Sequence, residues 1–147
     1  MNRAVKIVLA LLAVAALGLG GWAVFEHFDR AGIVKDSKRA CGALDTPSGS
    51  SALPTGFTLP SGQKLLRVET QGKTSLVVAS AEGQRGDIVK VRDAVLAELA
   101  SQGYTKKGTD QEPGYEAEAE LGGKTEGTLK VKPLCTDRLE VRYKLQG

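Results

Sequence analysis

The feature that most constrains this chain is an apolar run close to its N-terminus, residues 7–25, which contains no charged side chain. A helix of 19 residues rises roughly 28 Å, close to the thickness of the hydrocarbon core of a bilayer. Arg3 and Lys6 precede the run, so the positive-inside rule places the N-terminus in the cytoplasm and the remainder outside. We therefore expect residues 1–25 to form a cytoplasmic stub and a single-pass transmembrane anchor.

A cleavable signal peptide is the alternative interpretation of this run. Such a peptide has an apolar region of about 7–15 residues followed by a small-x-small cleavage site. Ala13-Val14-Ala15 has suitable residues but lies in the middle of the run, and the first cysteine, Cys41, is too far downstream for a lipoprotein signal. The anchor is the better prediction. With either an anchor or a signal peptide, the rest of the chain would lie outside the cytoplasm.

The charge balance argues against a nucleic-acid partner. The chain has 20 basic and 17 acidic residues, a net charge of +3. Because Arg3 and Lys6 precede the apolar run, the remainder carries 18 basic and 17 acidic residues, a net charge of only +1. Nucleic-acid-binding domains carry a strong basic excess, and this one does not.

The two cysteines of the chain, Cys41 and Cys135, predict one intramolecular disulfide. Export to an oxidising compartment favours a bond between an even number of cysteines. The bond would close a loop of 95 residues. A Cys-x-x-Cys motif is absent and the single histidine, His27, stands beside the apolar run, so we predict neither a redox nor a zinc site.

The segment that follows the anchor, residues 26–63, predicts a juxtamembrane stretch and then a linker. Its second half is rich in Gly, Ser and Pro, which is typical of segments without regular structure. Leu53-Pro54-Thr55-Gly56 looks like a sortase sorting signal, but no hydrophobic tail follows it and we interpret the match as chance. We expect folding to begin near Phe57 and assign residues 64–147 to the extracytoplasmic domain.

Hydrophobic periodicity predicts two strands and then a helix at the start of this domain. Residues 64–70 and 74–81 favour strands joined by a turn at Gln71-Gly72, and Asp87 is a candidate helix N-cap. Gly103 fits the position that ends a helix. The apolar stripe of the helix is Ile88, Val91, Val95 and Leu99, and Arg92 falls on the opposite, polar side.

Alternation in the last third predicts three more strands, near residues 115–121, 125–131 and 139–145. We favour a three-residue Gly-Gly-Lys loop for the first hairpin, which pairs Ala117 with Leu129 and keeps one face apolar. The predicted fold is α+β: a small antiparallel sheet in the order ββαβββ with one amphipathic helix on one face. Residues 104–107 are a candidate for a short extra strand.

The charged rows on these strands are the only candidate sites. Glu116, Glu118 and Glu120 share a face and could bind a cation, although alternating charge also serves to keep a half-exposed strand soluble. A basic row, Arg138, Arg142 and Lys144, could contact lipid head groups or wall polyanions, but Glu140 interrupts it. We find no nucleophile with a recognisable partner and no phosphate-binding motif, and predict no catalytic, cofactor-binding or metal-binding residue.

The anchor, the Gly/Ser/Pro-rich linker and the domain whose helix closes at Gly103-Tyr104 resemble uncharacterised small membrane-anchored or secreted extracytoplasmic proteins of high-GC Gram-positive bacteria. The single Asn and three Ile agree with GC-rich coding. The resemblance implies no activity and no functional residues. We expect a non-enzymatic domain at the cell membrane that contacts envelope proteins or the cell wall, the alternative being a small-ligand-binding or hydrolytic extracytoplasmic domain.

Overall fold

The computed structural model describes residues 30–43, 48–49 and 52–147. The apolar run, and with it the predicted anchor and its possible cleavage, lies outside the described residues. Within the described ranges, no helix has the length and apolar character needed to cross a membrane. Residues 30–38 are helical (α1), and residues 33–147 belong to one packed unit.

The packed unit is built on a sheet of seven strands. The order along the sheet is β1-β2-β3-β7-β6-β5-β4, and all neighbours are antiparallel except β1 and β2. The α+β class and the antiparallel sheet are therefore confirmed. The elements are β1 Ser48–Gly49, β2 Gln63–Gln71, β3 Thr74–Glu82, α2 Ile88–Ser101, β4 Tyr104–Glu112, β5 Glu116–Gly123, β6 Gly127–Cys135 and β7 Arg138–Gln146.

The predicted order ββαβββ is one full strand short. The candidate at residues 104–107 extends to Glu112 and pairs along its length with β5. Its sequence shows no apolar alternation, because only its first residue, Tyr104, is buried, and a β-bulge between Lys106 and Gly108 interrupts its register. Backbone pairing with β5, rather than an apolar face, holds this strand in the sheet.

Local signals at the first hairpin and at the end of α2 are confirmed. Gln71 pairs with Thr74 across a two-residue turn in which Gly72 has a φ of 59°. Gly103 ends α2 with a φ of 92° and donates its N–H to the carbonyl of Ala100 at 3.1 Å. The Asp87 carboxylate makes no cap bond to α2; it accepts from the N–H of Gln84 at 2.9 Å.

The inner face of the sheet, which α2 covers, carries the core. The predicted alternation is confirmed on β5, β6 and β7, and α2 packs on β4, β5 and β6. Apolar burial on one face with charge on the other is the pattern that an antiparallel sheet with one covered face requires. The buried inner-face residues include Val68, Val77, Ala79, Ala81, Tyr104, Ala117, Ala119, Leu121, Leu129, Val131, Leu139, Val141, Tyr143 and Leu145.

Residues 52–62, which we call the strap, complete the core although they were predicted as linker. Phe57 is buried at 5% exposure, and Leu53 and Leu59 pack against the same cluster. The strap has no helix or strand, but Thr58 exchanges two hydrogen bonds with the side chain of Gln102, at 3.0 and 2.8 Å. The packed domain therefore includes residues N-terminal to the boundary predicted at residue 64.

The sortase-like match lies within the strap and has a structural role. The N–H of Phe57 donates to the carbonyl of Pro54 at 2.9 Å, which closes a turn around Thr55 and Gly56. Gly56 has a φ of 76°, as the third residue of a type II turn requires. The turn directs Phe57 into the core.

The predicted register of the β5–β6 hairpin is wrong by two residues. Ala117 faces Val131 rather than Leu129, and Glu118 faces Lys130. The cause lies in β4, because Gly122 and Gly123 pair with Thr105 and Tyr104 and so extend β5 instead of turning. A shift of two residues keeps each side chain on its predicted face.

Cys41 and Cys135 form the predicted disulfide, with their Cα atoms 5.2 Å apart. The backbone beside the bond is also fixed. Thr136 donates its N–H and its hydroxyl to the carbonyl of Arg39, at 2.9 and 2.8 Å. The chain therefore enters the domain at the turn between β6 and β7.

Candidate interaction groove

Arg92 is buried on α2, although the sequence placed it on the polar side. Its side chain is 6% exposed, whereas Val91, assigned to the apolar stripe, is only half-buried. A buried charge requires partners, and the guanidinium has them. It contacts the Asp93 carboxylate at 2.9 Å and donates to the side chain of Gln111 at 3.2 Å and to the carbonyl of Asp110 at 3.3 Å. Arg92 thus links α2 to the edge strand β4.

A groove of about 560 Å³ lies between α2 and β4, with Arg92 in its wall. Leu99, Leu121 and Tyr104 are buried beneath it, and Lys106 is exposed along its β4 side. The volume falls within the range of small-molecule and cofactor sites, roughly 300–1,000 Å³. Its lining combines an apolar floor with two cations and the Asp93 carboxylate, which Arg92 already engages.

β4 is the last strand of the sheet, and in the described part of the chain no strand pairs with its outer edge. An edge strand presents backbone donors and acceptors that can bind another extended chain. The bulge between Lys106 and Gly108 disrupts the first part of this edge, whereas Thr109–Glu112 pairs regularly with β5. The groove lies beside the start of this edge, at Tyr104, Thr105 and Lys106, and reaches the regular part only at Thr109.

A lysine of the neighbouring strand occupies part of the acidic row. The ammonium group of Lys130 lies 3.0 Å from Glu116 and also contacts Glu118. Burial alone would lower the pKa of Lys130, but hydrogen bonds to Glu118 and Glu116 outweigh it and raise that pKa. One ammonium group of the neighbouring strand is therefore shared by two of the three carboxylates, and Glu120 remains exposed beyond them.

The three residues of the predicted basic row lie on one face of β7, and Glu140 lies between Arg138 and Arg142. Glu140 is 12% exposed, and Arg142 and Lys132 both pair with it. Near the disulfide, Asp137 lies within 4.8 Å of Cys41 and Cys135, but sulfur atoms bonded to each other do not serve as metal ligands. The two cysteines are structural.

Sequence reasoning missed the groove because the burial of Arg92 and the pairing of β4 depend on tertiary contacts. Arg92 is buried only because β4 follows α2 back along the sheet, and β4 itself carries little strand signal. The spacing Ile88, Arg92, Val95 and Leu99 fits the helical period as well as the predicted stripe does, and it is the set that the structure buries. Comparison with protein-family models and with curated proteins finds no match for this chain.

Proposed function

We propose that this chain is a non-enzymatic extracytoplasmic domain, tethered to the cell membrane by residues 7–25, that binds an extended segment of another envelope protein in the groove between α2 and β4. The observation that carries the proposal is the groove itself, in which an apolar floor lies beside the edge of β4 that, among the described residues, pairs with no other strand. The disulfide agrees with an oxidising compartment outside the cytoplasm. The tether and its orientation rest on the sequence.

The shape of the groove favours a peptide. A segment added to a strand edge gains affinity from main-chain hydrogen bonds and specificity from alternate side-chain pockets. Leu96, Ala97 and Ala100 offer apolar contacts along the helix side, and Lys106 offers a cation on the strand side. The complementary partner is an extended segment with apolar side chains and at least one acidic residue.

The alternative, a small-ligand-binding or hydrolytic domain using the acidic strand, lacks such support. Lys130 pairs with both Glu116 and Glu118, so a cation of the same sheet already occupies part of the acidic row. Replacing Glu116, Glu118 and Glu120 together by Gln should leave a deletion strain fully complemented. Failure of a folded and abundant triple variant to complement would favour the alternative.

Photo-cross-linking in intact cells tests the groove directly. A photoreactive amino acid at Thr109, which lines the groove, should yield adducts with an envelope protein, whereas the same residue at Thr128, on the opposite face of the sheet, serves as the matched control. Protein adducts at Thr109 but not at Thr128 support the proposal. Equal adducts at both positions, adducts with glycan material alone, or none would contradict it.

The tether has a separate test. The full chain should remain with membranes after alkaline carbonate washing and should keep Met1 or Asn2 as its N-terminus. A soluble form beginning near Ala16 would show that the apolar run is a signal peptide. This result would leave the groove proposal intact, because the domain would still be exported.

A further inference from the structure

The outer face of the sheet, opposite α2, is divided into two regions of opposite charge. The regular half of β4 and strand β5 contribute acidic groups, whereas β2, β6 and β7 contribute what we call the basic patch. Lys107, at the bulge of β4, also lies on this face and pairs with Glu126. Lys130 lies between the two regions and pairs with the acidic side. The acidic region is Asp110, Glu112, Glu116, Glu118 and Glu120; the basic patch is Lys64, Arg67, Lys132, Arg138, Arg142 and Lys144.

Glu140 interrupts the basic row in the sequence but hardly reaches the surface. Its carboxylate is 12% exposed and lies 2.5 Å from Arg142 and 3.5 Å from Lys132. One largely buried carboxylate therefore pairs with two cations, so the exposed surface around Glu140 is positively charged.

Two other acids border the basic patch and offset it only weakly. Glu69 and Glu82 are 59% and 82% exposed, and they pair with Arg67 at 3.0 Å and Arg138 at 3.5 Å. Such exposed pairs interact weakly in water. With Glu140 included, six basic and three acidic side chains leave a net charge of +3 on this part of the face.

The basic patch begins where the chain enters the domain. Arg138 faces Cys135 in the β6–β7 register, and Cys135 is bonded to Cys41. The chain that leads from the apolar run is thus fixed at one end of the patch, and the exposed residues Lys38 and Arg39 immediately precede this attachment.

We propose that the basic patch binds the anionic phospholipid head groups of the bilayer to which the chain is tethered. The argument is charge complementarity between a net positive sheet face and an anionic surface. The inference rests on the tether of the proposed function and not on the groove. Repulsion of the acidic region turns β4 and β5 away from the lipid, so the groove beside β4 stays open to a protein partner.

Lysine footprinting of the full chain tests this docking, because the same molecule contains its own controls. The chain is reconstituted in vesicles of phosphatidylcholine, with or without phosphatidylglycerol, and treated with a membrane-impermeant acetylating reagent. Acetylation of Lys64, Lys132 and Lys144 should slow about fivefold in the anionic vesicles. Lys90 and Lys106, exposed on α2 and β4, should react equally in both.

Raised salt and lysine-to-glutamine variants test whether the protection is electrostatic. Raising the salt from about 0.1 M to about 1 M shortens the screening length from about 10 Å to about 3 Å and should abolish the protection. The variant Lys64→Gln with Lys144→Gln should lose protection at Lys132. The charge-matched control Lys90→Gln with Lys106→Gln should retain it.

Each other outcome overturns the proposal or the tether. Equal labelling of all lysines in both vesicles, with the chain retained after carbonate washing, contradicts the docking alone. Extraction of the chain by carbonate contradicts the tether. Protection of the basic patch by soluble poly(glycerol phosphate), but not by phosphatidylglycerol vesicles, would assign the face to a wall polymer and overturn the lipid proposal.

Discussion

The ring of Phe57 lies 5.0 Å from the ring of Tyr143, tilted by 59°, so a residue of the strap packs on the central strand β7. Tyr143 is fully buried, and its hydroxyl donates to the side chain of Gln63 at 2.8 Å. Phe57 also meets Tyr104 edge to face, at 6.4 Å. The strap therefore joins the end of α2 to the middle of the sheet.

Replacing Phe57 with Ala should lower the free energy of unfolding by about 3 kcal/mol, because it removes a buried ring that the surrounding core cannot replace. Urea denaturation of the full chain measures the loss. Thr55→Ala, in the same turn but exposed, should change stability by less than about 0.5 kcal/mol. Similar small effects for both variants would show that the strap does not contribute to the core.

Glu98 should make the attachment of the strap depend on pH. The backbone N–H and the hydroxyl of Ser61 both donate to the Glu98 carboxylate, at 2.8 and 2.7 Å. These two hydrogen bonds, the backbone one having the larger effect, lower the pKa of Glu98 below its ordinary value of 4.5. A lowered pKa stabilises the folded state above pH 4.5, and this contribution is lost as the pH falls through the pKa of the folded state.

NMR titration of the Glu98 carboxyl and amide exchange at Ser61 measure this effect. Glu98→Gln should speed exchange at Ser61 at neutral pH, whereas Glu120→Gln, an exposed carboxylate on the outer face, should not. A pKa for Glu98 at or above 4.5 would be incompatible with the hydrogen bonds described.

Gly127 tests the register of the β5–β6 hairpin. It faces Leu121 and Leu145, and a Cβ at this position would collide with the carbonyl oxygen of Lys144. Gly127→Ala should therefore cost about 2 kcal/mol, because the strands must shift to admit it. At Gly108 the nearest atom would lie 3.7 Å from an added Cβ, so Gly108→Ala is the matched control and should change stability little. Thermal unfolding that cannot distinguish the two variants would contradict this register.

The disulfide should contribute about 4 kcal/mol, because a bond between residues 94 positions apart restricts the unfolded chain over a long loop. Replacing Cys41 and Cys135 with Ser should lower stability by that amount and leave the circular dichroism spectrum of the sheet unchanged. The native protein should contain no reactive thiol under denaturing, non-reducing conditions. Two labelled thiols per chain would disprove the bond, and a dimer that reductant dissociates would show that the cysteines join two copies.

Period-two alternation alone determined which face of β5, β6 and β7 is buried, because a strand side chain can point only to one face or the other. Local chemistry likewise determined the turn after Gln71 and the end of α2 at Gly103, since a residue with positive φ is readable from the sequence. The pairing of Cys41 with Cys135 followed from their being the only cysteines. The faces and turns depend on residues close together in the sequence, and two cysteines can form only one intramolecular pair.

Tertiary structure decided what depends on partners distant in sequence. The sequence Gly122-Gly123 predicts a turn, but pairing with Thr105 and Tyr104 holds both glycines in β5. The register of the β5–β6 hairpin is therefore shifted by two residues. Arg92 is buried because β4 supplies its hydrogen-bond acceptors, and Glu140 withdraws from the surface because Lys132 and Arg142 flank it. The burial of a charge depends on which groups surround it, and only the folded chain brings those groups together.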